Sequence, residues 1–431
     1  MSKQVTLLIE PNKKIAPILA LNLQLYAGLD VVIKETKEAA REWLLDHKDQ
    51  FLILARTAPQ VRWDWVKDSC PLILIGEGES SPKMYTQIIN SLDIKSIVKS
   101  AATAVHVTAK EMAESEVPDF FPIEIDYFKV LSNTNCAIHV KKEDSYPIVF
   151  TERSLINGSL VEKLKNSGNS HLYVFKADRL KIVNLITAEY IATLSDEDLN
   201  TDEQLLAQES NFKLVAQKLV SFGVQEQTIE IAKKSMEKMQ ESLEKYPKIS
   251  VMLRNMLKNQ ASYLFQHTQV ATYLSLHIMK NTDWGTDEQK SKIAFIAFFH
   301  DIALETDEQA KINTHADFVK CTLPKREKDL IDKHAQIASE IVLKYPMSPI
   351  GVDQLIRQHH GNLNGVGFSE HFGGNISPIT LIFMIAEELS HMMLTNPPDM
   401  LDKSQLISDL RATFPTSRFK KIIDILETLS M

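Results

Sequence analysis

The sequence predicts a multidomain chain: an α/β domain with a parallel sheet, then a small α+β module, then a C-terminal all-α helical bundle. Three observations carry this prediction. Short apolar runs alternate with amphipathic stretches over the first hundred residues, strand-like runs cluster between 120 and 175, and only helix-period patterns follow the acidic stretch at 195–204. A length of 431 residues is ample for several domains at about 100 to 200 residues each. The boundaries fall at 1–103, a connector at 104–119, a β-rich module at 120–195, helices at 205–247 and the bundle at 248–431.

Composition narrows the function classes. With 44% hydrophobic and 24% charged residues the chain is globular, not disordered or fibrous. A net charge of −8 supplies no basic face, which argues against a DNA or RNA partner. Cys70, Cys136 and Cys321 are too few and too dispersed for a disulfide framework or a thiolate metal cluster, which fits a reducing cytoplasm. The start, MSKQVTLLIEPNKK, lacks a leader pattern, and the apolar runs Ile293–Phe299 and Ile379–Ala386 are too short to span a bilayer. No membrane role is expected.

In the first domain VTLLIE, DVVIKE, FLILA and PLILIG read as strands, with helices over Ile15–Tyr26, Glu38–Leu45 and Met84–Leu92, and SIVK as a last strand. This order resembles a response-regulator receiver domain, whose phosphorylated Asp ends the third strand. Arg56 stands at that position, Glu10 alone remains of the acidic pair because Pro11 and Asn12 follow it, Gly76 replaces the hydroxyl, and Lys99 matches the lysine after the fifth strand. A guanidinium cannot accept a phosphoryl group, and one carboxylate is a poor magnesium site. The resemblance therefore implies a pseudo-receiver with no phosphorylation site, serving to bind a signalling protein or to form a homodimer.

Residues 104–119 carry little apolar pattern. From Phe120 the runs FPIEIDYF, CAIHVKK, YPIVFTE and HLYVFKADRL suggest strands, with a helix over LVEKLKNSG. The acidic SDEDLNTDEQ, Ser195–Gln204, places carboxylates at a helix start, where the macrodipole favours them. Ile229, Ala232, Met236, Met239 and Leu243 then form one apolar stripe, too short for a coiled coil and suited to a bundle face.

Nine of the thirteen histidines lie between 267 and 391. In IAFIAFFHDIAL an apolar helix ends in His300-Asp301, placing an imidazole beside a carboxylate whose two oxygens can bridge two cations. His267, His334 and the His359-His360 doublet sit on or beside separate predicted helices, which a bundle can bring together.

In order and spacing these residues resemble the HD-GYP family of HD phosphohydrolases over 248–431. FQHTQVATYL matches the early His with His267, HDIAL the HD pair, LIDKHAQIASEIV the next His with His334, and HHGNLNGVGFS the doublet; IFMIAEELSH puts Glu387 at the late Asp. The resemblance implies two divalent metal ions, iron or manganese before zinc, held by His267, His300, Asp301, His334, His359, His360 and Glu387. His300 and Asp301 would be catalytic, and Gly365, Gly367, Phe368 and Arg357 would contact a cyclic dinucleotide such as cyclic di-GMP. Tyr263 occupies the position of a third-metal Glu, which favours two ions.

The departures bear on substrate. Leu304 and Ala303 replace the lysine and glycine of HDIGK, Gly367-Phe368-Ser369 replaces Gly-Tyr-Pro, and Gly361 and Asn364 replace two acids after the doublet. Lys311, Lys325, Arg326 or Arg357 could supply the missing cation, while His277, His315, His371 and His391 match no ligand position. Three readings follow: a cyclic dinucleotide phosphodiesterase, a non-catalytic signalling or binding module, and a phosphohydrolase of another nucleotide or phosphoester.

Overall fold

The computed structural model describes the chain apart from residues 1–4, 48–51, 58–61, 67–69, 77–83, 89, 107–117, 196, 198, 245, 247, 284, 347, 370–375 and 431. The chain divides into two compact units, Met1–Ser210 and Asn211–Met431.

In the first unit, β1 (Val5–Ile9), β2 (Asp30–Lys34), β3 (Leu52–Arg56), β4 (Leu72–Ile75) and β5 (Met84–Ile88) form a parallel sheet in the order β2-β1-β3-β4-β5. Side chains alternate along each strand between two apolar layers. Leu8, Leu54, Ile73 and Ile75 pack on α1 (Ile15–Ala27) and α3 (Ile94–Ala104), whereas Leu7, Ile53, Ala55 and Leu74 face Ala40 of α2 (Lys37–Asp46), Trp63 and Val66. Burial on both faces is why these strands read as unbroken apolar runs.

Two expectations need correcting here. The segment read as a helix over Met84–Leu92 is β5, and the segment read as a last strand, SIVK, lies inside α3. Tyr85, Thr86 and Ile88 favour a strand once β4 offers a parallel edge to pair with. Asp93 caps α3 by accepting from the Ser96 N–H, and the β-branched Ile97 and Val98 follow on a helix face. Lys99 is therefore mid-helix, not at a strand end.

The rest of this unit is a four-stranded antiparallel sheet, β6-β9-β7-β8, made of β6 (Phe120–Glu124), β7 (Ile138–His139), β8 (Ile148–Phe150) and β9 (His171–Phe175), with α4 (Gly158–Asn166). The strands are shorter than the runs suggested: Ile125–Val130 is a 3₁₀ turn, and α5 (Arg179–Ala192) follows β9 closely. Helix α5 packs on α1, where the Asn22 amide donates to Thr187 Oγ1 at 2.8 Å and the Tyr26 hydroxyl to Asn184 Oδ1 at 2.6 Å.

Helix α6 (Thr201–Phe222) contains the division between the units. The second unit holds α7 (Glu226–Glu244), α8 (Ile249–Lys258), α9 (Tyr263–Lys280), α10 (Asp287–Phe299), α11 (Asp307–Ala310), α12 (His315–Lys320), α13 (Lys325–Leu343), α14 (Val352–Arg357), α15 (Pro378–Leu394), α16 (Lys403–Thr413) and α17 (Ser417–Leu426). The stripe on α7 faces the bundle, with Ala232, Met239 and Leu243 buried and the Ile229 carbonyl accepting from the Tyr345 hydroxyl. Helix α9 is central and buried nearly all round, including Gln266, His267, Thr268 and Thr272. The Thr268 and Thr272 hydroxyls satisfy themselves on carbonyls one turn back, which makes a polar central helix tolerable. Among the described residues no helix is long and apolar enough to cross a membrane.

Candidate metal centre

Five helical elements deliver the ligand candidates to one point in the bundle. His267 comes from the middle of α9, His300 and Asp301 from the end of α10, His334 from the middle of α13, His359 and His360 from just beyond α14, and Glu387 from α15. The apolar run Ile293–Phe299 anchors α10 in the core, so its end is fixed, and the buried Phe383 packs edge-on to His300 with ring centroids 4.9 Å apart. All seven side chains are buried or nearly so.

Three of the imidazoles are aimed by their own backbone. His300 Nδ1 lies 2.8 Å from the Ala297 carbonyl, His334 Nδ1 2.5 Å from that of Ile331, and His359 Nδ1 2.6 Å from that of Ile356. A carbonyl only accepts, so Nδ1 carries the proton and each Nε2 presents a bare lone pair. The lone pairs of His334 and His359 face each other, Nε2 to Nε2 at 3.2 Å, and His360 Nε2 lies 3.0 Å from that of His334. Asp301 Oδ1 stands 3.3 Å from His334 Nε2 and Oδ2 stands 3.2 Å from His300 Nε2, which is buried without a hydrogen bond.

Acceptors facing acceptors in a buried site repel unless a cation lies between them. Two donor groups meet this description, Asp301 with His334, His359 and His360, and Asp301 with His267 and His300. Asp301 alone belongs to both. Glu387 Oε1 lies beside the first group, 3.7 Å from His360 Nε2 and 3.9 Å from His359 Nε2.

The electrostatics agree. Burial lowers the basicity of His334, His359 and His360 and pulls His267 down to about 3, so the imidazoles stay neutral and able to donate lone pairs. Burial raises the Asp301 carboxyl, while charge and hydrogen-bond coupling to His300, then to His334 and His267, brings it well below the carboxylate range; with those rings neutral, a bound cation would take over that stabilising role. Glu387 is pushed well above the carboxylate range by burial and by the Asp301 charge, so a neighbouring cation would be needed to ionise it. The residues present thus fit a bound divalent cation.

A pH dependence follows. A histidine whose folded pKa is depressed protonates first in the unfolded chain, so stability is lost as pH falls below the ordinary value near 6.5. Each fully buried imidazole costs at most about 1.4 kcal/mol per pH unit below that point, and the half-buried His277 and His391 cost less because solvent screens them. Glu387 and Glu388, raised by burial, act in the opposite sense, but six depressed imidazoles (His267, His277, His334, His359, His360 and His391) outnumber them in this unit. Thermal melts of metal-stripped protein should fall steadily from about pH 7 to about pH 5. A midpoint that stays flat across that window would contradict the neutral cluster.

A cavity of about 290 Å³ opens beside the cluster and is walled by His359, His360, Phe368, Met384, Glu387 and Glu388, among others. Phe368 lines the cavity and packs on His360 with ring centroids 4.4 Å apart. The other proposed contacts are used differently. Gly367 donates its N–H to the Asp332 carbonyl and the Gly365 carbonyl accepts from the Gln336 N–H, so this loop is tied to α13. A Cβ at Gly365 would meet the Arg357 side chain at 2.8 Å, and φ there is +72°. Arg357 itself donates to Ser339 Oγ at 3.1 Å. It supports the loop and is not among the residues lining this cavity.

Among the described residues no Lys or Arg borders this cavity. Leu304 is buried elsewhere, and the Lys311 ammonium lies over the Tyr263 ring at 5.5 Å. Gly361 takes a left-handed φ of +82°, so an acid there would be strained, and Asn364 accepts from the Val366 N–H in a turn. Of the histidines set aside, His277 bonds Thr428, His315 borders the cavity, and His371 lies outside the described residues. His391 accepts or donates at 2.7 Å with the Tyr263 hydroxyl, whose ring lies parallel to His267. Sequence reasoning missed this support, along with Ser390, whose hydroxyl is 3.1 Å from His267 Nδ1.

No family model matches the chain, and no curated protein matches it. Among solved structures, Bd1817, a HDG"Y"P protein from Bdellovibrio bacteriovorus, aligns over 72% of this chain and 100% of its own at 14% identity and a TM-score of 0.37, too loose a superposition to establish a shared fold.

Proposed function

We propose that the second unit is a metal-dependent phosphohydrolase of the HD-GYP type, cleaving a phosphodiester in cyclic di-GMP or a related cyclic dinucleotide at a two-ion centre of iron or manganese, with zinc as the next candidate. The observation that carries this reading is the convergence of unprotonated Nε2 atoms on the ionised Asp301, with lone pairs turned toward one another. His267, His300, Asp301, His334, His359, His360 and Glu387 would hold the ions. Divalent ions supply electrophilic polarisation of a phosphate and acidify water. The chain's own contribution is to fix the imidazoles through their Nδ1 bonds, to set the Asp301 carboxylate between the two groups of rings, and to offer the half-buried Phe368 ring as a stacking surface.

A specific observation favours a second reading, a module that binds ligand without turning it over. The cavity wall carries no Lys or Arg among the described residues, so a substrate phosphate away from the ions would have no permanently charged partner there. Phosphoesters with a single phosphate fit the same observation. The discriminating experiment measures metal content of the purified chain and its hydrolysis of cyclic di-GMP, cyclic GMP-AMP and a generic phosphomonoester beside His300→Ala. Bound metal with turnover that the variant lacks is expected; absence of metal and equal rates in both proteins would sink the reading.

For the first unit we infer a signalling interaction without phosphorylation. Arg56, at the carboxyl edge of the sheet, pairs with Glu203 Oε1 at 2.8 Å and Glu10 Oε2 at 3.5 Å, and the Ser91 hydroxyl also donates to Glu203. The crevice in which a doubly wound sheet of this order binds ligands is thereby filled by the chain's own carboxylate.

A further inference from the structure

We propose that a groove in the first unit, between α1, α3 and α5, is a binding site for a small amphipathic carboxylate, an alkyl chain ending in one anionic group. The inference is independent of the metal centre and of any phosphodiester chemistry.

The groove encloses about 580 Å³, inside the range of roughly 300 to 1,000 Å³ for small-molecule sites. Its floor is formed before any ligand arrives. The Asn22 amide of α1 donates to Thr187 Oγ1 of α5, and the Tyr26 hydroxyl of α1 donates to Asn184 Oδ1 of α5, so two bonds hold these helices at a fixed spacing. Neighbouring rows of side chains on α3 make another wall. Ile94, Val98 and Ala102 recur every fourth residue as an apolar strip, and Lys95, Lys99 and Thr103 form a polar strip beside it. Ile94 and Val98 are only half-buried, and Ala188 of α5 adds a small apolar group that is half-buried as well. These walls are more aliphatic than aromatic, which suits an alkyl chain better than a stacked ring.

The charge of the ligand follows from the lysines. Among the described residues no carboxylate lines the groove, and neither ammonium has an ion-pair partner. Like charges one turn apart repel, so an anion set between them relieves the repulsion and accepts two charge-assisted hydrogen bonds. The neutral groups of the wall agree. The Thr103 hydroxyl is used on the Lys99 carbonyl, and that of Tyr26 on Asn184. Apart from the Asn22 amide oxygen, the polar groups that remain, the Asn184 amide and the hydroxyls of Thr187 and Ser210, can donate. A carboxylate at the lysine rim, with its chain along the Ile94 row, meets the donors and covers the apolar strip. A cation would instead face both ammoniums. The crevice at the carboxyl edge of the sheet is filled by Glu203, so the groove gives this unit a separate place for a small molecule.

The test is calorimetric titration of the full chain with decanoate, decanol, decylamine and acetate, each below its aggregation threshold. Because the lysines are exposed and screened, decanoate should bind only about three- to tenfold tighter than decanol, a margin that shrinks as salt is added. Decylamine should bind more weakly than decanol, and acetate, which lacks the chain, at least about 100-fold more weakly than decanoate. Lys95→Met combined with Lys99→Met keeps the apolar stems and removes both charges, and should bring decanoate down to the level of decanol. Ala188→Phe fills the groove from α5 and should weaken decanoate and decanol alike by about tenfold or more. The lysine pair decides alone should Ala188→Phe fail to fold. Equal affinity for the three decyl compounds, no binding of decanoate, or a decanoate affinity unaltered by either variant overturns the inference. So does a dimer that persists in decanoate and dissociates in Ala188→Phe, which would make a second copy of the chain the occupant.

Discussion

On the proposed function, Asp301→Asn is expected to abolish metal binding and to reduce the proposed phosphoester hydrolysis by about 10³-fold or more, while leaving the metal-stripped protein folded. The loss should exceed the roughly 10- to 100-fold typical of residues behind the ligands, because Asp301 is the one member shared by both donor groups. Its Oδ1 serves the side of His334 and its Oδ2 the side of His300. An asparagine keeps the volume but substitutes an amide that donates hydrogen bonds. Pointed at bare Nε2 atoms, that amide satisfies the lone pairs that otherwise call for a cation. Metal analysis and melting curves should therefore diverge: metal near zero, with a melting temperature for the stripped variant no lower than that of the stripped parent. A variant that retains metal at the parent's stoichiometry would remove Asp301 from the centre.

The second large effect is expected at Arg56. Replacing it with alanine leaves Glu10 and Glu203, each almost fully buried, without their shared cation. Breaking a buried pair by deleting one partner costs about 3 to 5 kcal/mol, well above a typical surface change. The loss should also depend on pH. Burial raises the Glu10 carboxyl above its ordinary value, and Arg56, with the Asn12 N–H behind it, opposes this. Without the guanidinium the folded-state value rises further, so the folded state binds a proton that the unfolded state releases. Destabilisation should then be smallest in acid and grow as pH rises above about 4.5. Urea unfolding of the full chain, followed by fluorescence of Trp43, Trp63 and Trp65 in the first unit, would register it. An unchanged midpoint at neutral pH would show that the ion pair is dispensable.

The metal cluster was legible in sequence because its information is local: an apolar helix ending in His-Asp, a His doublet, and histidines spaced over distinct helices. The parallel sheet was legible for the same reason, through unbroken apolar runs. Elsewhere the signal was long-range or ambiguous. The segment around Ile94–Ala104 carries β-branched residues that suit either a strand or a helix, and capping by Asp93 together with the edge offered by β4 decided between them. Helix α5 was hidden because it buries Ile182, Val183, Leu185 and Ile186 on more than one side, which erases the 3.6-residue period. The partner of Arg56 sits 147 residues away, and no spacing rule reaches so far.

The bonds that aim His300, His334 and His359 have a further consequence. Each imidazole is steered by the peptide carbonyl three positions earlier, a group that every residue type possesses. Mutation can change the side chains around such a ligand without removing its guide. The side chains around these ligands can change while the aim of the nitrogens is kept by the backbone itself. Such a centre is robust to sequence divergence in its orientation and open to it in its choice of ligand.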